Sequence, residues 1–299
     1  MSKLPAIGFI GVGSMGWPMA THLHKAGYPL NIIDADSQRA AQFSKEIGGT
    51  VCATNKELAE KSDIIISILP TSAIVEKVLT GEQGLLAGLR KDAVIVEMSS
   101  GVPSMTQQFA RLAADAGGHL VDAPVSGGVP RAKTGELAIM FGGSQALLDR
   151  VKPVLNCMGN AIQHTGDVGT AHAMKALNNL VSAGGFLIAA EALMIGKRFG
   201  LSPDNMVDVL NASTGMNNST QKKFKQFVLN GQYNAGFGLD LMVKDLSIAM
   251  GIAKDTSTAS PFSAMCREMW AATAQMLGPG QDHTAIAKLV ENLNRDKLS

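Results

Sequence analysis

Lys175, Asn178 and Asn179 stand within a mostly apolar run from Thr170 to Phe199, where polar side chains need a reason. At helical spacing Lys175 and Asn179 share one face, with Asn178 beside them and Ser182 about one turn further along. A lysine in that setting can reach out to solvent along its aliphatic stem. Buried beside a cationic ring, it would instead favour the neutral amine and could take up or release a proton. A second group, Asp122-Ala-Pro-Val-Ser126-Gly127-Gly128, follows an apolar run. Adjacent glycines beside a serine can offer several backbone N–H groups and a hydroxyl to an anion such as a carboxylate, although a plain turn has the same composition. Ser126 is read as a binder and not a nucleophile, because the glycines follow it instead of bracketing it and no paired histidine is evident. In the third group, Asp240 and Lys244 lie one helical turn apart, as a surface ion pair or as part of a site.

A fourth group points to a cofactor. Ile7-Gly-Phe-Ile runs into Gly11-Val-Gly13-Ser14-Met15-Gly16, and a second apolar run, Leu30–Ile33, ends at Asp34. Gly11 permits a tight turn, Gly13 lets backbone amides approach a pyrophosphate, and Gly16 allows the following helix to pack on the strand. The helix start then favours anions. Strand, glycine loop, helix, second strand and acid in this order specify a dinucleotide site. Asp34 is placed to accept from both adenosine ribose hydroxyls and to repel a 2′-phosphate, which favours NAD; the nearby Arg39 keeps NADP open.

These groups need elements to hold them. The first half alternates short apolar runs with helical patterns, the signature of a parallel sheet covered by helices on both faces. Expected strands are Ala6–Ile10, Leu30–Ile33, Ile64–Ile68, Val94–Val96, Leu120–Val121, Leu137–Phe141 and Ala161–His164. Ligands in such sheets lie beyond the carboxyl ends of the strands, which points to Leu69-Pro70 and Ser99-Ser100 as cofactor-lining, with ordinary loop chemistry as the alternative. From Gly169 onward the chain reads as helical. The Thr170–Phe199 run, apolar nearly all round, is expected to be one long helix buried against two surfaces. Later helices are expected at Pro203–Asn211, Ser219–Leu229, Met242–Lys254, Phe262–Met276 and His283–Leu293.

The chain has 299 residues, 46% hydrophobic, and a net charge of +1, enough for about two cored domains and no electrostatic footprint for nucleic acid or an anionic membrane. Met1–Pro5 leads straight into the first strand, so no signal or transit peptide is expected, and no apolar run reads as long enough to span a bilayer. A cytoplasmic location is expected. Cys52, Cys157 and Cys266 match neither a disulfide framework nor a metal spacing, and His22, His24 and His172 form no metal pair with acids.

In this order the groups resemble the β-hydroxyacid dehydrogenase family, which includes 3-hydroxyisobutyrate dehydrogenase and 2-hydroxy-3-oxopropionate (tartronate semialdehyde) reductase. The resemblance rests on Gly8–Gly16, Asp122–Gly128, Gly169–Lys175 with Asn178-Asn179, and Lys244-Asp245-Leu246. It implies an α/β fold: an N-terminal Rossmann dinucleotide-binding domain over 1–166, joined by a long interdomain helix to an all-α substrate and dimerisation domain over 167–299. It also implies a site in the cleft between them, within a homodimer or homotetramer. Carried onto this chain, Lys175 looks like the catalytic acid/base, and Ser126, Gly127 and Asn179, with Gly128 and Asn178 beside them, look like substrate binders. Lys244 resembles the lysine that approaches the nicotinamide; Met15, Leu69, Pro70 and Ser99 match cofactor-lining positions beside Gly11, Gly13, Ser14, Gly16 and Asp34.

The implied reaction interconverts a small 3-hydroxyacid and its semialdehyde with NAD or NADP. Asp240 could hydrogen-bond a hydroxylated substrate, favouring tartronate semialdehyde over 3-hydroxyisobutyrate, and Arg131 either reads a second anionic group or is a surface residue. Decarboxylating relatives of the 6-phosphogluconate type place a glutamate where this chain has Ser182 and carry a larger helical domain, and imine reductases usually replace the lysine. A dinucleotide-binding scaffold without chemistry is the remaining alternative; keeping Ser126, Lys175, Asn179 and Lys244 together argues against it.

Overall fold

A computed structural model describes residues 4–299; Met1, Ser2 and Lys3, on which the reading of the chain start partly rested, lie outside the described residues. The described residues divide into two compact units, the first ending at Lys175 and the second running over 176–299, and the division falls inside one helix.

The first unit is built on a nine-stranded sheet. Its elements are β1 (Ile7–Ile10), α1 (Gly16–Lys25), β2 (Leu30–Ile33), α2 (Ser37–Glu46), β3 (Thr50–Val51), α3 (Asn55–Glu60), β4 (Ile64–Ser67), α4 (Ser72–Leu79), β5 (Val94–Glu97), α5 (Pro103–Asp115) and β6 (His119–Asp122). After these come β7 (Val125–Ser126), α6 (Gly128–Thr134), β8 (Leu137–Gly142), α7 (Gln145–Leu155) and β9 (Gly159–Gly166). The order across the sheet is β3-β2-β1-β4-β5-β6-β8-β7, with β9 also paired to β8. From β3 to β6 every pairing is parallel, in register Ile7 to Ile64, Ile64 to Val94 and Val94 to His119. β1, β4 and β5 are buried at all four positions, as parallel strands covered on both faces must be. Their side chains alternate: Ile7 and Phe9 pack with Met19, Leu23 and Phe43 on one face, while Ile10, Ile65 and Ile95 pack with Leu58, Val75 and Phe109 on the other. The two strands the sequence reading omitted, β3 and β7, are two residues each, too short for a period to show.

The helix α8 (Thr170–Phe199) has the expected bounds. One flank is uncovered: Val181, Ile188, Ile195 and Phe199 are 76%, 56%, 71% and 86% exposed, the first three at two-turn spacing and Phe199 one turn further on. One expectation needs correction: the helix is long and apolar enough to cross a bilayer, with a window of mean hydropathy 1.5, although 56% of that window is buried in the fold, as in a core helix.

The second unit packs the later part of α8 with α9 (Pro203–Asn211), α10 (Asn218–Lys222), α11 (Leu239–Asp255), α12 (Pro261–Leu277) and α13 (Ala287–Asn294). Phe186 centres its core, 4.8 Å from the ring of Phe224 and 6.3 Å from that of Trp270. The helix expected over Ser219–Leu229 is broken: α10 ends at Lys222 and a π-helical turn, Phe224–Val228, follows, with the Leu229 N–H reaching back to the Phe224 carbonyl at 2.8 Å. The last expected helix begins instead as a 3₁₀ turn, His283–Ile286, because Asp282 caps it through the Thr284 N–H.

Candidate active site

The glycine loop fits a dinucleotide for reasons visible in the packing. Gly11 has φ +92° and a Cβ there would come within 2.5 Å of the Ile68 carbonyl, so the loop hugs the end of β4. At Gly16 a Cβ would fall 1.8 Å from the Gly11 carbonyl, so α1 starts directly on the turn. Gly13 differs: the nearest atom to an added Cβ is the Arg39 guanidinium at 3.9 Å. Its missing side chain therefore leaves open space beside the start of α1, which carries no side-chain cap, and this is where a pyrophosphate would be cradled. Ser14 is exposed and Met15 half-buried on the same loop.

Asp34 follows β2 and holds the loop: its Oδ2 accepts from the Val12 N–H at 2.8 Å and its Oδ1 from the Asp36 N–H at 2.8 Å. Arg39 stands 3.8 Å from Asp34 and 3.4 Å from Asp36. Two strands along the sheet, the Leu69 N–H donates to Ser99 Oγ at 2.8 Å, joining the segments after β4 and β5. Pro70 is exposed and Ser99 only 3% exposed. Gly11, Leu69 and Ser99 thus come together at the carboxyl ends of β1, β4 and β5.

Ser126 lies on β7, opposite Ala138 of β8, and is half-buried. Gly127 and Gly128 follow with φ +129° and +65°, a path that strains any side chain. The same turn carries Arg131. A Cβ on Gly127 would meet its Cδ at 2.6 Å, so the Arg131 stem lies across the bare Cα of that glycine.

Lys175 closes the first unit. It is 8% exposed and Asn179, one turn on, is 7% exposed, whereas Met174, Leu177 and Val181 between and around them are exposed. The lysine therefore belongs to the inner face of α8 and does not reach out to bulk solvent. Asp122 has a structural role that its place in the Asp122–Gly128 motif does not announce. Its Oδ1 accepts from the Gly169 N–H at 2.7 Å and its Oδ2 from the His172 N–H at 2.8 Å, tying the start of α8 to the end of β6.

In the second unit Asn179 Nδ2 donates to Asp245 Oδ2 at 2.6 Å, and Asn179 Oδ1 accepts from Asn178 Nδ2 at 3.2 Å. Lys244 Nζ is 3.5 Å from Asp245 Oδ1. Asp245, 1% exposed, is the residue that orients the asparagine, and the sequence reading missed it. Its only signal was its place beside Lys244. Asp240 lies exposed in the first turn of α11.

Two protein families cover nearly the whole chain. Residues 6–166 match the NAD binding domain of 6-phosphogluconate dehydrogenase, and residues 169–290 match the family described as NAD-binding of NADP-dependent 3-hydroxyisobutyrate dehydrogenase. The 2-(hydroxymethyl)glutarate dehydrogenase of Eubacterium barkeri is 37% identical over 100% of this chain and 99% of its own length. The 2-hydroxy-3-oxopropionate reductase of Escherichia coli (strain K12) is 33% identical over 98% of this chain and 99% of its own. Among solved structures, Mycobacterium tuberculosis 3-hydroxyisobutyrate dehydrogenase with L-serine superposes with a TM-score of 0.89 at 29% identity, covering 96% of this chain and 99% of that one.

Proposed function

The chain belongs to the β-hydroxyacid dehydrogenase family, and from that premise we propose how its own residues perform an NAD(P)-dependent interconversion of a 3-hydroxyacid and its semialdehyde. The observation that carries the proposal is Lys175: a lysine only 8% exposed on a helix whose start Asp122 ties to β6, the strand that leads into the Ser126–Gly128 loop.

In oxidation Lys175 accepts the hydroxyl proton of the substrate; in reduction it returns a proton to the developing alkoxide. Bound NAD(P) supplies the hydride acceptor or donor. Ser126 and the amides of Gly127 and Gly128 bind the substrate carboxylate. Asn179, oriented by Asp245 and flanked by Asn178, is a further substrate binder. Gly11, Gly13, Ser14, Met15 and Gly16 hold the pyrophosphate, Asp34 the adenosine ribose, and Leu69, Pro70, Ser99 and Lys244 line the rest of the cofactor. Asp34 favours NAD over NADP. Lys175→Ala tests this: turnover is expected to fall by about 10³-fold while NAD titration gives an unchanged affinity, and wild-type turnover would remove Lys175 from its role.

A second reading concerns the substrate. The exposed Arg131, whose stem lies against Gly127, is a candidate reader of a second anionic group, as in the Eubacterium barkeri relative's 2-(hydroxymethyl)glutarate. Asp240, if it reaches the substrate, favours a hydroxylated one such as tartronate semialdehyde. Assaying 2-(hydroxymethyl)glutarate, 3-hydroxyisobutyrate and tartronate semialdehyde side by side with Arg131→Ala and Asp240→Ala decides between them: each variant should lose its own substrate selectively.

The exposed stripe on α8, continued on α12 by Phe262, which packs on Gly184, and by Met265, is proposed to pair with a second copy of the chain. The three free cysteines suit a cytoplasmic setting.

A further inference from the structure

Below Lys175, at the first turn of α8, lies a buried charged cluster that the proposed chemistry does not use. His172 is 1% exposed, Glu97 2% and Asp122 fully buried. The imidazole Nε2 is 3.0 Å from Glu97 Oε2 and 3.0 Å from the Ser99 carbonyl, two acceptors that require an N–H between them. Nδ1 is 2.7 Å from Thr106 Oγ1, and that hydroxyl lies 3.0 Å from the Val102 carbonyl. With the threonine O–H given to Val102, its oxygen is an acceptor and Nδ1 must carry a hydrogen as well. Asp122 Oδ2 stands 3.9 Å from the same nitrogen. The alternative, a neutral ring, would leave two carboxylates in the interior with no cation between them, an expensive arrangement.

We propose that His172 is a buried imidazolium held between Glu97 and Asp122, and that it is a positioning residue, tying the first turn of α8, one turn before Lys175, to the Ser99 and Leu69 backbone. The linkage is continuous. Glu97 Oε1 accepts from the Ser99 N–H at 2.9 Å, and Ser99 Oγ accepts from the Leu69 N–H at 2.8 Å. The loop runs flush against the ring, since a Cβ on Gly101 would come within 2.8 Å of it. Burial alone pulls the His172 pKa down, but the Glu97 hydrogen bond and the charges of Glu97 and Asp122 outweigh it and the net direction is up. Asp122 is pushed up by its burial, against His172 and the backbone N–H groups that hold its charge. The groups facing the ring are therefore Glu97 and the Ser99 carbonyl from β5 and its exit, Asp122 from β6, and Thr106 from α5.

The functional half of this inference rests on Lys175 being the acid/base. Nitrogen-15 NMR of histidine-labelled protein reads the ring directly, with the His172 signals assigned by their loss in His172→Gln. Doubly protonated at pH 8, where ordinary histidines are neutral, is the expected state; a neutral ring there overturns the proposal. In kinetics, His172→Gln is expected to lower kcat about tenfold with the KM for NAD changed less than about twofold. Glu97→Gln keeps the histidine and a hydrogen-bonding partner, should the first variant fail to fold. It is expected to give the kcat–pH profile a new inflection near about pH 6.5, as the ring loses its held proton. A wild-type kcat and pH profile in both variants would overturn the positioning role. Wild-type turnover in Lys175→Ala would sink the acid/base assignment instead, and would leave the ring measurement standing.

Discussion

At the scale of single residues, two glycines of one loop should respond in opposite ways to the same methyl group. A Cβ on Gly16 collides with the Gly11 carbonyl at 1.8 Å, a backbone atom that has no side-chain freedom to give way, so Gly16→Ala is expected to lower Tm sharply or prevent folding. A Cβ on Gly13 finds nothing nearer than 3.9 Å, so Gly13→Ala should keep its Tm within about 2 °C and lose at least about tenfold in NAD affinity, read by calorimetry of the folded protein. Equal NAD affinity in Gly13→Ala would show that the open space beside α1 is not the pyrophosphate site. The two oxygens of Asp34 are fixed by backbone donors, and the proposed preference for NAD rests on that carboxylate facing a 2′-phosphate. The Michaelis constant for NADP is therefore expected to exceed that for NAD, and Asp34→Ser should narrow the difference. These positions were legible in the sequence because local contacts dictate their residue types. Arg131 was legible as a candidate, but the packing of its stem on Gly127, a glycine of positive φ, was not, because no spacing rule announces that backbone path.

At the scale of elements, the start of α8 is held from outside the helix. Two backbone N–H groups end on the fully buried Asp122, so Asp122→Ala strands both and is expected to cost about 2–4 kcal/mol in chemical denaturation. The same turn sets a dependence on pH. A histidine raised in the folded state contributes stability that is complete below its unfolded value near about 6.5 and is lost as pH rises through the folded value. The wild-type advantage in Tm over His172→Gln should thus be largest near about pH 6 and shrink toward about pH 9; a constant difference would mean that the ring's proton plays no part. The length of α8 and the shared face of Lys175 and Asn179 could be read from the sequence, since both follow from a period of 3.6. The Glu97–His172 contact could not, because it joins the end of a strand to a helix far along the chain. Nor could the π turn at Phe224–Val228, where a single extra residue leaves the apolar pattern intact while the helix changes its bonding.

At the scale of the whole molecule, the exposed stripe of α8 is the feature a lone chain does not account for. Val181, Ile188, Ile195 and Phe199 leave large apolar side chains in water, at a cost that a second copy would remove. Sedimentation is expected to show a dimer or higher oligomer, and Ile188→Glu with Ile195→Glu should shift it toward the monomer; a monomeric wild-type protein would overturn that pairing. The sequence pointed to this helix as apolar on every side and so hid which side was left uncovered. Two-sheet-face burial, by contrast, was readable in Ile64–Ser67 and Val94–Glu97, where no polar alternation interrupts the run.

The unbroken winding of α8 through the boundary at Lys175 and Ala176 also sets which insertions and deletions the chain can tolerate. One added residue between Lys175 and Asn179 would swing the asparagine by about 100° around the axis, whereas seven would return it to within about 20° of its original side, roughly 10 Å further along. Length variation in descendants of this gene should accordingly collect in the turns on either side of that rod and spare its interior.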